Sequence, residues 1–199
     1  NNIDKNNALS LDMLDSMIFN LSNTSFINKF KCIIITGTNK SPFSAGADLT
    51  DIKKLIEEKN LMLYHSKMNT LLQVMSELEI PIVSLIRSYC FGAGLILALY
   101  SDILFATEET IFCIPAAKLN IKIPENQIAY LKKKIKGSFF KEILISSREF
   151  SAAEAFHNNI INSCIKEATF DCYTNKFVKK IINNEKQINS FYLKLLKRN

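Results

Sequence analysis

The stretch FSAGADL, residues 43–49, holds one of only five glycines in a chain of 199 residues. It lies shortly after the apolar run KCIIIT (residues 31–36), which leads into Gly37. Further on, CFGAGLILALYSD (residues 90–102) holds two more glycines behind a second apolar run, IVSLI. Three of the five glycines therefore sit in two short stretches, each downstream of a strand-like segment. Glycine in such a place permits a tight turn or the close approach of another backbone. A turn that enters a helix also leaves N–H groups without intrahelical partners. Two such turns could aim paired N–H groups at one oxygen, where each donor is typically worth about 2.7–4 kcal/mol as charge develops in a transition state.

Other uses of the second stretch fit less well. A dinucleotide fingerprint requires glycine at position 97, where Leu97 stands, and no GK[ST] follows to make a P-loop. A packing role, with Gly92 and Gly94 letting LILALY close on a sheet, accounts for one stretch but not both.

Working outward, Ser10 precedes LDMLDSMIFNL as the N-cap of an amphipathic helix. KCIIIT is β-branched and reads as a parallel strand buried on both faces. DLTDIKKLIEE and LYHSKMNTLLQVMSEL are helical, Pro81 ends the second pattern, and IVSLI reads as a buried strand. LILALY is a buried helix, followed by strands in DILFAT and TIFCI. From Ile128 the pattern is helical in IAYLKKKI, SFFKEILIS, SAAEAF, FDCYTNKFVKKII and NSFYLKLLKR, with NNIINSCI as a short strand. This order describes an α/β fold: a core over residues 1–137 and a C-terminal helical portion of the same domain over 138–199.

Composition bounds the function. With 48% apolar and 22% charged residues, the chain is a folded domain, one rather than two at 199 residues. Residues 89–100 are too short an apolar run to span a bilayer. The five cysteines show no C-x-x-C spacing, and His65 and His157 lie far from any cysteine pair, so no metal site is expected. Free thiols point to a reducing compartment, the cytoplasm or an organelle matrix, with a targeting segment ahead of residue 1 compatible with it. The net charge of +6 gathers in late lysines at helical spacing, which makes solvated helix faces. Without an RNP motif or a helix-turn-helix, nucleic acid is not the expected partner.

The segment IIITGTNKSPFSAGADLTDI resembles the strand and FSAGADL turn of the crotonase superfamily, the enoyl-CoA hydratase/isomerase family. PIVSLIRSYCFGAGLILALYSDILFATEETIFCIPAAKLNI resembles its second signature: a GGG turn, an LAxxxD helix and a following FxxP segment. SSREFSAAEAF resembles the segment that introduces the C-terminal helices, and NNALSLDML the early NAL loop and helix. These four motifs occur in family order, over about residue 5 to about residue 198. The resemblance implies a crotonase-like (ClpP/crotonase) ββα spiral core with C-terminal helices. It also implies that the family's opening strand pair is missing here, that its last helices are curtailed, and that copies assemble as a homotrimer or a dimer of trimers.

Carried over by position, the resemblance makes the N–H groups of Ala47 and Ala93 the oxyanion donors. It sets Lys5, Ala8, Ala45, Asp48, Leu49 and Gly92 along a groove for an acyl-CoA thioester, with no other cofactor. Asp48 is also placed to cap a helix starting at Leu49. Ile96 and Ala116 stand where the hydratases carry two glutamates, which implies slow or absent hydration. Glu125 is the nearest carboxylate that could substitute, against a surface role, while His65 and His157 read as surface or packing residues. The alternatives are a decarboxylase or isomerase on the same scaffold, or an inactive thioester-binding or subunit-interaction protein.

Overall fold

A computed structural model describes residues 1–38, 41–135 and 137–197 of the protein. Asn39 and Lys40, Lys136 of the lysine run, Arg198 of the last helical pattern and Asn199 lie outside the described residues. A 3-10 turn over Ile3–Lys5 precedes α1 (Leu11–Ser22), α2 (Thr24–Ile27) and β1 (Ile33–Thr36). Next come α3 (Leu49–Glu57), α4 (Leu61–Glu77), β2 (Ile82–Ile86), β3 (Tyr89–Phe91), α5 (Ala93–Leu99) and β4 (Ile103–Thr107). After β5 (Ile111–Cys113) and α6 (Glu125–Lys134) follow α7 (Gly137–Ser146), β6 (Glu149–Ser151) and α8 (Ala152–His157). The described chain closes with β7 (Ser163–Ile165), α9 (Glu167–Asn183) and α10 (Lys186–Lys197).

The strands form two sheets. The larger has the order β1-β2-β4-β7, and every neighbouring pair is parallel. In the smaller, β3-β5-β6, the first pair is parallel and the second antiparallel. Alternation along the central strands divides the core. Ile82, Ile86, Leu104 and Ala106 join the main cluster, while Val83 and Phe105 face the other way onto Phe170 and Ile181 of α9. Phe170, Thr174, Val178 and Ile181 make one buried stripe at helical spacing, which is why α9 can cover that face. The main cluster also takes Phe140, Ile143, Phe150 and Ile160, so residues on both sides of position 137 share it.

The strand in KCIIIT departs from expectation. Its residue types predict burial on both faces, yet burial alternates along β1: Ile33 and Ile35 pack on the core, and Ile34 is 45% exposed. The reason is position, since β1 is the last strand of its sheet among the described residues. Strands β3 and β6 are not among the expected strands: β5 and β7 are equally short but lie in the apolar runs TIFCI and NNIINSCI, whereas YCF and EFS stand directly before helices with no such run around them. The Ser10 cap holds, its hydroxyl accepting from the N–H of Met13 at 3.2 Å. Among the described residues no helix is long and apolar enough to cross a membrane.

Candidate active site

The two glycine stretches lie against each other. Ser44 occupies a bridge with Cys90, its N–H donating to the carbonyl of Tyr89 at 3.3 Å and its carbonyl accepting from Phe91 at 2.9 Å. The first turn is thereby tied to β3, immediately ahead of the second turn. At Gly46, where φ is +103°, a Cβ would come within 3.0 Å of the Phe91 carbonyl oxygen and 3.6 Å of the Ala93 nitrogen. At Gly94 a Cβ would lie 2.5 Å from that of Ser44. Both positions need glycine because another backbone or a buried serine fills the space.

This contact fixes where the donors point. Leu9 and Ala47 form a parallel bridge in which the Leu9 N–H donates to Gly46 at 2.7 Å and its carbonyl accepts from Asp48 at 3.1 Å. The flanking residues face Leu9, so Ala47 turns its own N–H and carbonyl to the opposite side. Ala93 is the first residue of α5, behind Gly92 as N-cap, where a helix leaves its N–H groups unused. Neither the Ala47 nor the Ala93 N–H donates a hydrogen bond among the described residues.

Both alanines line an apolar cavity of about 140 Å³. Ala45, Leu49, Gly92, Ile96 and Ala116 line it too, so seven of the sequence-predicted site residues meet there. Its walls also include Ile52 of α3, Tyr64, His65 and Met68 of α4, Ile114 and Pro115 after β5, the 119–124 loop and Gln127 of α6. No carboxylate is among the residues that line it.

Four predicted residues lie elsewhere. Lys5 reaches Asp48, Nζ to Oδ2 at 2.7 Å, and Asp48 caps α3 by accepting from the Thr50 N–H at 2.8 Å. Burial alone raises the Asp48 carboxyl, but Lys5 and Thr50 together outweigh it and hold it below its ordinary value. Ala8 is buried at 6% exposure outside the cavity lining, and Glu125 is an exposed residue at the start of α6. The position facing the cavity from that helix is Gln127, which donates to the side chain of Asn69 at 2.8 Å.

Sequence reasoning missed Gln127 and Lys122 and set His65 aside as a surface or packing residue. His65 is half-buried on the cavity wall, and burial pushes its pKa down from the usual 6.5. A signal was present: His65 falls between Tyr64 and Met68, two members of the buried stripe of α4. Tyr64 turns its hydroxyl inward to donate to the Leu9 carbonyl at 3.1 Å.

Comparison with known proteins agrees with this architecture. The sequence model of the family "Enoyl-CoA hydratase/isomerase" matches residues 1–199. YngF of Bacillus subtilis (strain 168), named for that same class, is 32% identical over 149 residues, 75% of this chain and 57% of its own. The short-chain-enoyl-CoA hydratase of Clostridium acetobutylicum is 23% identical over 180 residues, 89% of this chain and 68% of its own. The present chain thus spans about three fifths of the length of YngF. Among solved structures, an enoyl-CoA hydratase/carnithine racemase from Magnetospirillum magneticum superposes with a TM-score of 0.93 at 23% identity. That match takes in 100% of this chain and 74% of the other, and it shows the fold. The fold is the α/β crotonase fold, with parallel sheets and C-terminal helices, and the chain belongs to the enoyl-CoA hydratase/isomerase family.

Proposed function

We propose that the cavity receives the acyl end of a coenzyme A thioester, with the thioester oxygen between the N–H groups of Ala47 and Ala93. The observation that carries this reading is the pair of unused backbone donors at two touching turns on the wall of one apolar cavity. In that setting a donor needs no reorganisation as charge develops on the oxygen. At about 140 Å³ the cavity is close to the roughly 150 Å³ that holds a benzene-sized molecule, which favours a short acyl group. Ile96 and Ala116 occupy the wall positions where the resemblance puts the glutamates of hydration, so addition of water is slow or absent. In this reading several copies assemble, three or a multiple of three.

Ala93→Pro tests the donor directly. Proline is tolerated as the first residue of a helix, where it replaces the N–H in question with a ring carbon and so both removes the donor and fills the space in front of it. The expected outcome is a folded protein whose calorimetric affinity for butyryl-CoA falls well below the parent's. Equal affinity in the two would remove Ala93 from the site, and absence of heat from the folded parent with any acyl-CoA would remove the reading. A second reading, a thioester-binding protein without catalysis, is favoured by the lack of a carboxylate on the wall; binding without turnover of any thioester would support it.

A further inference from the structure

Three side chains on the cavity wall can carry a proton: Tyr64, His65 and Lys122. The Tyr64 hydroxyl is committed to the Leu9 carbonyl. Lys122 is exposed, on the loop across from α4. The imidazole of His65 makes no hydrogen bond among the described residues, and its ring stands edge-on to that of Tyr64, ring centres 6.5 Å apart.

We propose that His65 is the proton-transfer residue of this cavity, taking the α-proton of the bound acyl thioester and returning it to carbon. This rests on the thioester reading above and names the acid–base group that it lacks. The wall has no carboxylate to do the work: α3 contributes Leu49 and Ile52, α5 Ala93 and Ile96, the segment after β5 Pro115 and Ala116, and α6 Gln127. Asp48 and Asp51 are not in the cavity lining, and their charge acts on the Tyr64 phenol. Burial disfavours the imidazolium, so the ring is neutral near pH 7 and offers a lone pair.

The step balances without a further reagent. The imidazole lone pair takes the α-proton, the C–H electron pair moves into the C–C bond, and the carbonyl pair moves onto the oxygen held by Ala47 and Ala93. Return of the proton to the α-carbon restores the substrate and exchanges its hydrogen with solvent. With a 3-enoyl thioester the intermediate is a dienolate, and return of the proton to the γ-carbon shifts the double bond into conjugation. A single base suffices for this isomerisation, and no water is added.

The test is deuterium uptake at the α-carbon of butyryl-CoA in D₂O, followed by NMR on the complete folded protein, with calorimetric binding alongside. The parent is expected to bind and to exchange, with a rate that rises with pH and is half-maximal below 6.5. His65→Gln should bind comparably and exchange about 10²–10⁴-fold more slowly, without that pH step. His65→Ala should regain exchange when free imidazole is added, which a packing role would not give. His157→Gln, an exposed change outside the cavity, should match the parent. A parent that binds without exchanging, or a His65→Gln protein that exchanges at the parental rate, overturns the proposal and leaves the thioester reading intact. A folded parent that binds no acyl-CoA fails that reading first, and this one with it.

Discussion

Replacing Gly94 by alanine is the smallest change that probes how the two turns fit. The new Cβ would stand 2.5 Å from that of Ser44, a buried residue whose hydroxyl donates to the Asn7 carbonyl at 2.8 Å and accepts from Gly46 at 3.1 Å. Alanine ordinarily favours a helix, so a loss of stability here, expected at about 1–3 kcal/mol, reports overpacking. Urea unfolding measures it, and a variant at least as stable as the parent would show that Ser44 can yield. A second substitution concerns chemistry: Ile96→Glu with Ala116→Glu places two carboxylates on the wall. Ile96 is 4% exposed, so burial raises the pKa of a glutamate there and costs stability. In protein that stays folded, hydration of crotonyl-CoA should rise by about 10²–10⁴-fold, the usual weight of general acid–base catalysis. Fast hydration by the parent would instead point to another group, with Glu125→Gln the next variant to assay. At this scale the sequence was informative about Ala47 and Ala93, because glycines beside them marked the turns. For His65 it carried only a partial signal, the place between Tyr64 and Met68 on α4, since the role of wall residue depends on what that side of α4 faces.

Among the elements, α3 depends on a charged cap. Asp48 accepts from its Thr50 N–H and pairs with Lys5, which is carried on the turn before the first helix. Its carboxyl is held below the ordinary value, so its contribution is complete above the unfolded pKa of about 3.9 and is lost as pH falls through the lower folded value. Asn caps nearly as well as Asp but does not titrate. Asp48→Asn should therefore flatten the acid side of a curve of Tm against pH while leaving the neutral side nearly level; an acid limb as steep as the parent's would contradict the pairing. Elements with strong local signals were legible: Ser10 announced α1, and IVSLI, apolar except for Ser84, announced a buried strand, which pairs on both sides in its sheet. The half-exposed β1 was not, because KCIIIT carries the same residue types as a central strand and only its place at the edge exposes Ile34. The three-residue strands β3 and β6 owe their existence to partners distant in sequence, which local pattern does not carry.

For the molecule as a whole, the open question is what meets α10. The helix buries no residue completely, and Phe191, Leu195 and Leu196 are exposed, while Phe177 and Ile181 of α9 pack into the second core cluster. Ion pairs hold α10 to the rest of the chain, Lys194 to Glu79 at 2.8 Å and Lys197 to Asp102 at 3.1 Å. The Lys194–Glu79 pair is exposed and a weak support, and the apolar side chains of α10 stay uncovered, so an apolar partner for this face is expected. Light scattering of the full-length protein should give a multiple of three subunits, and Leu195→Asp should lower it; a clean monomer at high concentration would contradict the proposed assembly. The unused donors at positions 47 and 93 have a consequence for how such a protein can change over generations. An amide N–H belongs to the main chain, and every residue type except proline supplies one, so mutation can rewrite the side chains around the pocket while these two groups are inherited intact. If they hold the carbonyl as proposed, a lineage can discard one reaction and acquire another without rebuilding that part of the site.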